Sequence, residues 1–231
     1  LRTVLITGAG RGLGFALAEV FHRRGWRVFP LVRDPAAATR FAGWPACHPI
    51  LADVAEDAAE AAIARALGEQ VESLDLLINN AGIITKKPGL LEMTPSDLAD
   101  HFQVHCAGAF RCCRAAFPFL AKAGAPFIVN VTSRRGTMAF ATGTPIPRGY
   151  AYAVAKCAQN MLTVLLDREF RPHGVRVFAV HPGRLLTDAA PPDADTTPGE
   201  AAERLAGWIE SAPRDRECGC LDLMSGTFMP W

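Results

Sequence analysis

The sequence predicts an α/β protein, a doubly wound parallel sheet of about seven strands with helices on both faces. Three observations carry that prediction. A short β-branched run, TVLIT (3–7), passes through the glycine-rich TGAGRGLG (7–14) into a helical stretch, FALAEVFHRRG, ending at Gly25. Strand, glycine turn and helix form the first half of a βαβ unit. Strand-like and helical runs then alternate to residue 224, and SLDLLINNAG (73–82) is apolar almost without interruption, as a central strand buried on both faces requires. At 231 residues the chain suits one such domain, 1–231, with no internal repeat beyond the βα alternation.

Each element has its reason. Gly8 permits the tight bend after the first strand, Gly12 lets backbone approach a pyrophosphate, and Gly14 allows close helix packing, so that the helix N-terminus faces the phosphates. Three glycines are a weak signal alone; their place between strand and helix gives them weight. RVFPLV (27–32) is the second strand, with Pro30 expected to distort its ladder. An NAD-binding chain commonly ends this strand on an acid. Here Val32 and Arg33 stand there, and Arg11 lies in the glycine turn, so two guanidiniums can converge on the 2′-phosphate of NADP. Asp34, the competing candidate, reads as a turn or helix-cap residue.

ACHPILADV (46–54) is a third strand ending at Asp53, which either accepts from an adenine amino group or caps the next helix. That helix, 56–72, is Ala-rich, with Ala61, Ile63, Leu67 and Val71 expected on its inner face. Asn79 and Asn80 close the fourth strand and can brace a crevice beside a cofactor. A long helical region runs from Thr94 to Gly124, interrupted at Gly108 and Pro118. APFIVNVTS (125–133) is a fifth strand with Ser133 at its carboxyl end, where open α/β sheets bind ligands. A loop rich in Gly, Pro and Thr follows, then a helix to Phe170 and a sixth strand, GVRVFAVHPG (174–183). Residues 184–199 carry three prolines and read as a flap over the crevice; a helix at 200–211 and a strand, GCLDLM (219–224), complete the alternation.

The stretch YAYAVAK (150–156) is where chemistry is expected. Positions four apart on a helix differ by about 40° around its axis, so the Tyr152 hydroxyl and the Lys156 amine share a face that Tyr150 does not. A fixed cation beside a phenol favours the phenolate, lowers its pKa and makes it a usable general acid/base. Taken alone, the pair is also what any amphipathic helix with an aromatic and a lysine presents. The motifs around it decide.

Composition narrows the function classes. With 24 Lys+Arg against 23 Asp+Glu the net charge is +1, so no electrostatic footprint for nucleic acid or an anionic membrane is expected. The longest run without Asp, Glu, Lys or Arg is twelve residues, too short to cross a bilayer. The sequence opens on the strand-like LRTVLIT, so no retained signal peptide is expected. Seven cysteines, without a C-x-x-C pair or a four-ligand pattern, fit free thiols in a reducing cytoplasm and predict no metal site.

TGAGRGLG, NNAG, NVTS, YAVAK and HPG, in that order over essentially the whole chain, resemble the short-chain dehydrogenase/reductase family. The C-terminal GTFMPW and the length resemble its small subgroup of sniffer-type carbonyl reductases and the C-factor protein. The resemblance implies a single NAD(P)-binding Rossmann domain and an NADPH-dependent oxidoreductase that reduces an aldehyde, ketone or quinone to an alcohol. By the same resemblance Tyr152 protonates the carbonyl oxygen, Lys156 holds the nicotinamide ribose and lowers the tyrosine pKa, and Ser133 donates to the substrate oxygen. Gly8, Gly12 and Gly14 carry the pyrophosphate, Arg11 and Arg33 match the basic positions of NADP-preferring members, and Asp53 lies at the adenine. Asn80 serves the adenosine-side ribose, Pro182–Gly183 the nicotinamide edge, and Thr187 the carboxamide or phosphate. Leu13, Val54, Ala81 and Gly82 complete the implied cofactor-binding set.

Two departures stand out. His105 occupies, in FQVHCAG, the place where the family usually has an asparagine that holds a relay water. A histidine can hold a water and titrates near neutrality, so a relay with a new pH dependence, a lost relay and a space-filling ring all stand open. Ser133 precedes Tyr152 by nineteen residues, more than the family's common interval. The surplus is expected to bulge over the substrate mouth without separating the two hydroxyls. Met138, Phe140, Ile146, Leu185 and Leu186 are the expected wall and imply a mostly apolar ligand. The expected partners are a small carbonyl or alcohol substrate and, through the helices around 95–123 and 150–171, further copies in a homodimer or homotetramer; nucleic acid and membrane are not expected. The alternative is a catalytically impaired NADP(H)-binding signalling or scaffold protein of the same fold.

Overall fold

The computed structural model describes residues 1–85, 89–143, 149–187, 194–211 and 217–231. Among these, eight strands form one sheet: β1 (Thr3–Thr7), β2 (Arg27–Val32), β3 (Ile50–Leu51), β4 (Leu76–Asn79), β5 (Phe127–Val131), β6 (Arg176–His181), β7 (Cys220–Asp222) and β8 (Thr227–Met229). Their order is β3-β2-β1-β4-β5-β6-β7-β8, parallel throughout except for the antiparallel β7–β8 pair. The order reverses between β1 and β4, and ligands of such sheets bind outside the carboxyl ends at that point. The eighth strand exceeds the expected seven. A turn with Gly226 at φ +71°, closed by Gly226 N–H on the Asp222 carbonyl at 2.9 Å, folds three residues back on β7. Three residues are too few to show a period in the sequence.

The helices are α1 (Gly12–Arg23), α2 (Pro35–Ala38), α3 (Ala58–Gln70), α4 (Pro95–Phe102), α5 (Gly108–Leu120), α6 (Met138–Gly143), α7 (Tyr150–Phe170) and α8 (Pro198–Ser211). They cover both faces. On one, Leu17, Phe21, Leu205 and Ile209 of α1 and α8 pack on Ile6, Ile78 and Val129. On the other, Ile63, Leu67, Ala116 and Leu166 of α3, α5 and α7 pack on Leu5, Leu77 and Ile128. Neighbouring residues of one strand thus serve opposite cores, which is why the central strands are apolar without a break. Each fully buried Leu, Ile or Phe contributes roughly 1.5–3 kcal/mol.

Several local details differ from expectation. The third strand shrinks to two residues because of Pro30. The Val28 amide donates to the Ala46 carbonyl on the β3 side and the Val32 carbonyl accepts from the Ala52 amide there, so Pro30, of the same parity, turns its missing donor to that side. There the pairing is broken: Cys47 makes an isolated bridge with Val28, and β3 starts only at Ile50. In α3 the inner positions are Ala59, Ile63 and Leu67, while Ala61 is exposed and Val71 lies just past the helix end. The 94–124 region opens with a reciprocal cap between Thr94 and Asp97, and its break is a single π-helical turn, Gln103–Ala107, between α4 and α5. Gly108 follows because a Cβ there would stand 3.1 Å from Val54 Cβ. The expected loop after Ser133 contains a 3-10 turn, Arg134–Gly136, and α6, where the Thr142 hydroxyl bonds the Met138 carbonyl at 3.0 Å. No helix among the described residues is long and apolar enough to cross a membrane.

Candidate active site

The carboxyl ends of β1 and β4 are fastened to each other. Thr7 Oγ1 accepts from the Asn80 and Ala81 amides, both at 3.0 Å, and Asn80 Nδ2 donates to the Thr7 carbonyl at 2.9 Å and the Gly8 carbonyl at 3.3 Å. Two glycines exist for this packing. A Cβ on Gly8 would stand 2.7 Å from Ala81 Cα, and one on Gly14 would stand 2.3 Å from the Gly8 carbonyl oxygen and 2.5 Å from Asn80 Nδ2. Gly12 is different: its φ is +53° and a Cβ would meet only the Thr187 methyl at 3.7 Å. Beside it, no side chain caps α1 at Arg11, so first-turn amides remain for an anion. Leu13 is buried in the core below. An uncapped helix start behind a glycine-lined opening fits a pyrophosphate.

The expected cation sites lie one strand over. Arg33, largely exposed, places Nη1 3.5 Å from Asp53 Oδ2, and Asp53 Oδ1 accepts from the Ala55 amide at 3.0 Å. Asp53 therefore shapes the turn after β3, and Val54 is buried behind it. Asp34 caps α2 by accepting from the Ala36 amide at 2.9 Å. A third guanidinium, Arg40, donates to the Gly10 carbonyl at 2.7 Å and lies 3.6 Å over the Phe15 ring. The sequence carries no signal for it, because only the fold brings this segment back to the glycine turn.

Ser133, at the end of β5, is buried; its Oγ accepts from the Arg135 amide at 3.2 Å, and its hydroxyl bears on the Tyr152 phenol, drawing its pKa down. The long interval between the two residues leaves them together, as expected. The turn Arg134–Gly136 is clamped onto α7: a Cβ on Gly136 would stand 2.7 Å from both the carbonyl carbon and the Cβ of Lys156. Asn160 Nδ2 bonds the Gly136 carbonyl at 2.9 Å, and Asn160 Oδ1 accepts from Thr132 at 2.6 Å. Tyr150, by contrast, is exposed.

The electrostatics differ from the sequence expectation. Burial pushes the Tyr152 phenol up, and the opposing influences are the Ser133 hydroxyl and the Arg135 charge, not Lys156. Lys156 shares the face of Tyr152, with Nζ 5.8 Å from the ring centroid. Its ammonium, however, donates to the Val131 carbonyl at 2.6 Å and to Gln159 Oε1 at 2.8 Å. Burial lowers its pKa from 10.5 to about 7.

His105 lies inside the π-helical turn, 1% exposed, edge-on to Tyr152 at 5.4 Å between ring centroids and stacked on His101 at 5.9 Å. Its Nε2 lies 2.9 Å from the Ile83 carbonyl and 3.3 Å from the Ile83 amide, and its buried Nδ1 has no partner. Burial, and then the Lys156 charge, pull its pKa down to about 2. A ring so shifted is neutral near pH 7. Gly82 makes room for it, since a Cβ there would stand 2.7 Å from His105 Cε1.

After β6, Pro182 is buried and Gly183 takes φ +95°, where a Cβ would stand 2.9 Å from Met224 Cγ. The two ends of the expected flap are stitched by a Leu185–Thr196 bridge, the Leu186 amide on the Thr196 carbonyl at 2.8 Å, and an Arg184–Asp195 ion pair. This seats Thr187 over Gly12; residues 188–193 lie outside the described residues. Of the expected wall, Met138 and Leu186 are exposed and Phe140 lies under Arg134 at 5.0 Å. Leu185 instead packs toward the α1/α8 core, and Ile146 lies outside the described residues. Among the described residues no group of three or more His, Cys, Asp or Glu could hold a metal ion.

The chain is similar to known proteins in sequence and in fold. The 3-oxoacyl-(acyl-carrier-protein) reductase of rhamnolipid biosynthesis from Pseudomonas aeruginosa is 32% identical over 192 residues, covering 79% of this chain and 72% of that protein. An NADPH-bound carbonyl reductase from chicken fatty liver superposes with a TM-score of 0.89 at 25% identity, covering 100% of this chain and 99% of its own. The carbonyl reductase Sniffer of D. melanogaster shares the fold with a TM-score of 0.90 at 24% identity over the full length of both chains. The model of the short chain dehydrogenase family matches residues 2–197, and with the glycine turn, the Ser133–Tyr152 contact and the buried Lys156 in place the chain belongs to that family of oxidoreductases.

Proposed function

We propose that the protein is a cytoplasmic NADPH-dependent carbonyl reductase, one nucleotide-binding domain over residues 1–231, acting on a small aldehyde, ketone or quinone. The observation that carries this reading is the Ser133 hydroxyl bearing on the Tyr152 phenol beside buried Lys156, on the same edge of the sheet as the uncapped start of α1. The NADPH bound to the structurally similar chicken carbonyl reductase supports it.

The backbone of Gly8, Gly12, Leu13 and Gly14 would hold the pyrophosphate at the α1 N-terminus, with Thr187 closing over Gly12. Arg33 and Arg11, with Arg40 behind them, would hold the 2′-phosphate. Asp53 and Val54 would border the adenine, Asn80, Ala81 and Gly82 the adjoining ribose, and Pro182–Gly183 the nicotinamide. When bound, NADPH supplies a hydride from nicotinamide C4 to the carbonyl carbon. Ser133 Oγ would donate to the carbonyl oxygen and fix its distance from the phenol. Tyr152 would hand its proton to that oxygen as negative charge grows there, and the Arg135 charge stabilises the phenolate left behind. Lys156 would turn from Val131 to hold the nicotinamide ribose hydroxyls. Exposed Leu98, Phe102 and Phe110 on the α4–α5 side and Val154, Met161 and Leu165 on α7 support pairing into a homodimer or homotetramer.

The test is fluorescence titration with NADPH and NADH followed by a panel of aldehydes, ketones and quinones. Tighter NADPH binding with turnover is expected; no NADPH-linked turnover on any class overturns the reading. The alternative, an NADP(H)-binding signalling or scaffold protein, is favoured by the neutral His105 in the relay position, and binding without turnover would select it.

A further inference from the structure

Lys156 is held by a residue that the reductase reading does not use. Gln159, one helical turn beyond it on α7, is 1% exposed, and its Oε1 accepts from Lys156 Nζ at 2.8 Å. That leaves an amide NH2 to place inside the protein. Gln159 and His105 line one small buried space together with Thr7 and Asn79. Two buried acceptors of its lining residues have no partner, His105 Nδ1 and Asn79 Oδ1. His105 Nε2 lies 2.9 Å from the Ile83 carbonyl and 3.3 Å from the Ile83 amide; donation to the nearer carbonyl leaves Nδ1 with a lone pair that can accept. The helix turn bearing Gln159 is itself pinned. The Thr163 hydroxyl donates to the Gln159 carbonyl at 2.8 Å and accepts from Asn130 Nδ2 at 2.9 Å, and Asn130 Oδ1 accepts from Asn79 Nδ2 at 2.8 Å.

We propose that Gln159 is a positioning residue of the active site: its amide oxygen holds the Lys156 ammonium, and its amide NH2 donates to His105 Nδ1, joining lysine and histidine into one buried polar unit. It rests on reading Lys156 as the active-site lysine. Among the described residues, the titratable groups packed around the ammonium are Tyr152 on its own helix and His105, with His101 stacked behind, on the α4 side; Arg135, on the turn after β5, bears on Tyr152. His105 is uncharged, so the acceptors that favour the charged lysine against its burial are the Val131 carbonyl and the side chain of Gln159.

The sequence contains four lysines, Lys86, Lys87, Lys122 and Lys156, so a carbon-13 NMR titration of the lysine ε carbons resolves Lys156 in the protein without cofactor or substrate. Gln159→Leu should move the Lys156 midpoint down by about one pH unit, the scale of one hydrogen bond to a charged group, and Gln159→Glu should move it up. The His105 Nδ1 nitrogen-15 resonance should shift in Gln159→Leu, and the kcat/KM pH profile should move with the lysine. An unchanged Lys156 midpoint in Gln159→Leu, a shift in the same direction in both variants as mere loosening would give, or an unmoved His105 resonance overturns the proposal. The lysine titration needs no turnover: opposite shifts in a protein that reduces no carbonyl would keep the positioning role and defeat the reductase reading.

Discussion

Replacing Lys156 by methionine should make the protein harder to unfold near pH 6 than its pH 9.5 behaviour would indicate, with the difference from wild type changing steadily between pH 7 and 9.5. The amine is 4% exposed, and burial lowers its pKa from 10.5 to about 7. In the unfolded chain the proton stays on to pH 10.5; in the folded protein it leaves near pH 7. Between those values the unfolded state binds more protons, so wild-type stability rises with pH. Below pH 7 the amine is charged in both states and the full burial penalty is present, about 5 kcal/mol over the whole window at about 1.4 kcal/mol per pH unit. Methionine has a similar length and no charge, so it removes this dependence. It also strands the Val131 carbonyl and Gln159 Oε1, a loss of about 1–3 kcal/mol each that is the same at every pH. Urea unfolding of both proteins in buffers from pH 6 to 9.5 therefore reads the difference in unfolding free energy, in which all other titrating groups cancel. Methionine's relative advantage should fall by about 3 kcal/mol from pH 7 to 9.5. A flat difference would refute the claim that this lysine is buried at the expense of its charge.

Three further outcomes follow from the same structure. Arg33→Ala should weaken NADPH binding roughly tenfold, the value of one charge-assisted contact, and leave NADH binding unchanged; equal losses in a fluorescence titration would remove Arg33 from the phosphate site. Gly136→Ala places a methyl group 2.7 Å from Lys156 Cβ, so it should destabilise by about 1–3 kcal/mol and lower kcat at least tenfold by lifting the turn after Ser133 off α7; thermal melts with steady-state kinetics check both, and full activity would show that the turn does not position Ser133. Asp167, 1% exposed, takes Arg171 at 2.5 Å, Arg176 at 3.2 Å and the Val177 amide at 2.9 Å. Asp167→Asn removes a buried charge that Arg171 and Arg176 both pair with and should cost about 3–5 kcal/mol in chemical denaturation while activity per folded molecule holds.

The fold was legible in the sequence because burial on both faces removes polar residues from whole strands: TVLIT, LLIN and FIVNV each emerge as one buried run. The glycine turn was legible because Gly8 and Gly14 answer to backbone approaches that allow no side chain. What spacing could not show was parity and partner. Pro30 sits comfortably because the ladder it interrupts is on the side of the short β3, a matter of hydrogen-bond direction rather than of residue type. A π-helical turn has no sequence period of its own, so the burial of His105, and with it the loss of its ordinary titration, could not be read from its register. Lys156 and Tyr152 were placed on one face correctly, but where the ammonium points depends on Val131 and Gln159. Gln159 had a faint signal, a polar residue one turn after the lysine on the inner face. Arg135 and Arg40 had none, because their partners are brought to them by the fold.

The most direct test is the path of the hydrogen. Wild-type protein and Tyr152→Phe are incubated with NADPH deuterated at the transferred position of nicotinamide C4 and the best carbonyl of the panel, and the alcohol is analysed by mass spectrometry. The account predicts deuterium on the former carbonyl carbon with the wild type, and a rate lowered by about a hundredfold or more with Tyr152→Phe at unchanged NADPH affinity. Alcohol formed without deuterium, or at an equal rate without the phenol, would contradict it.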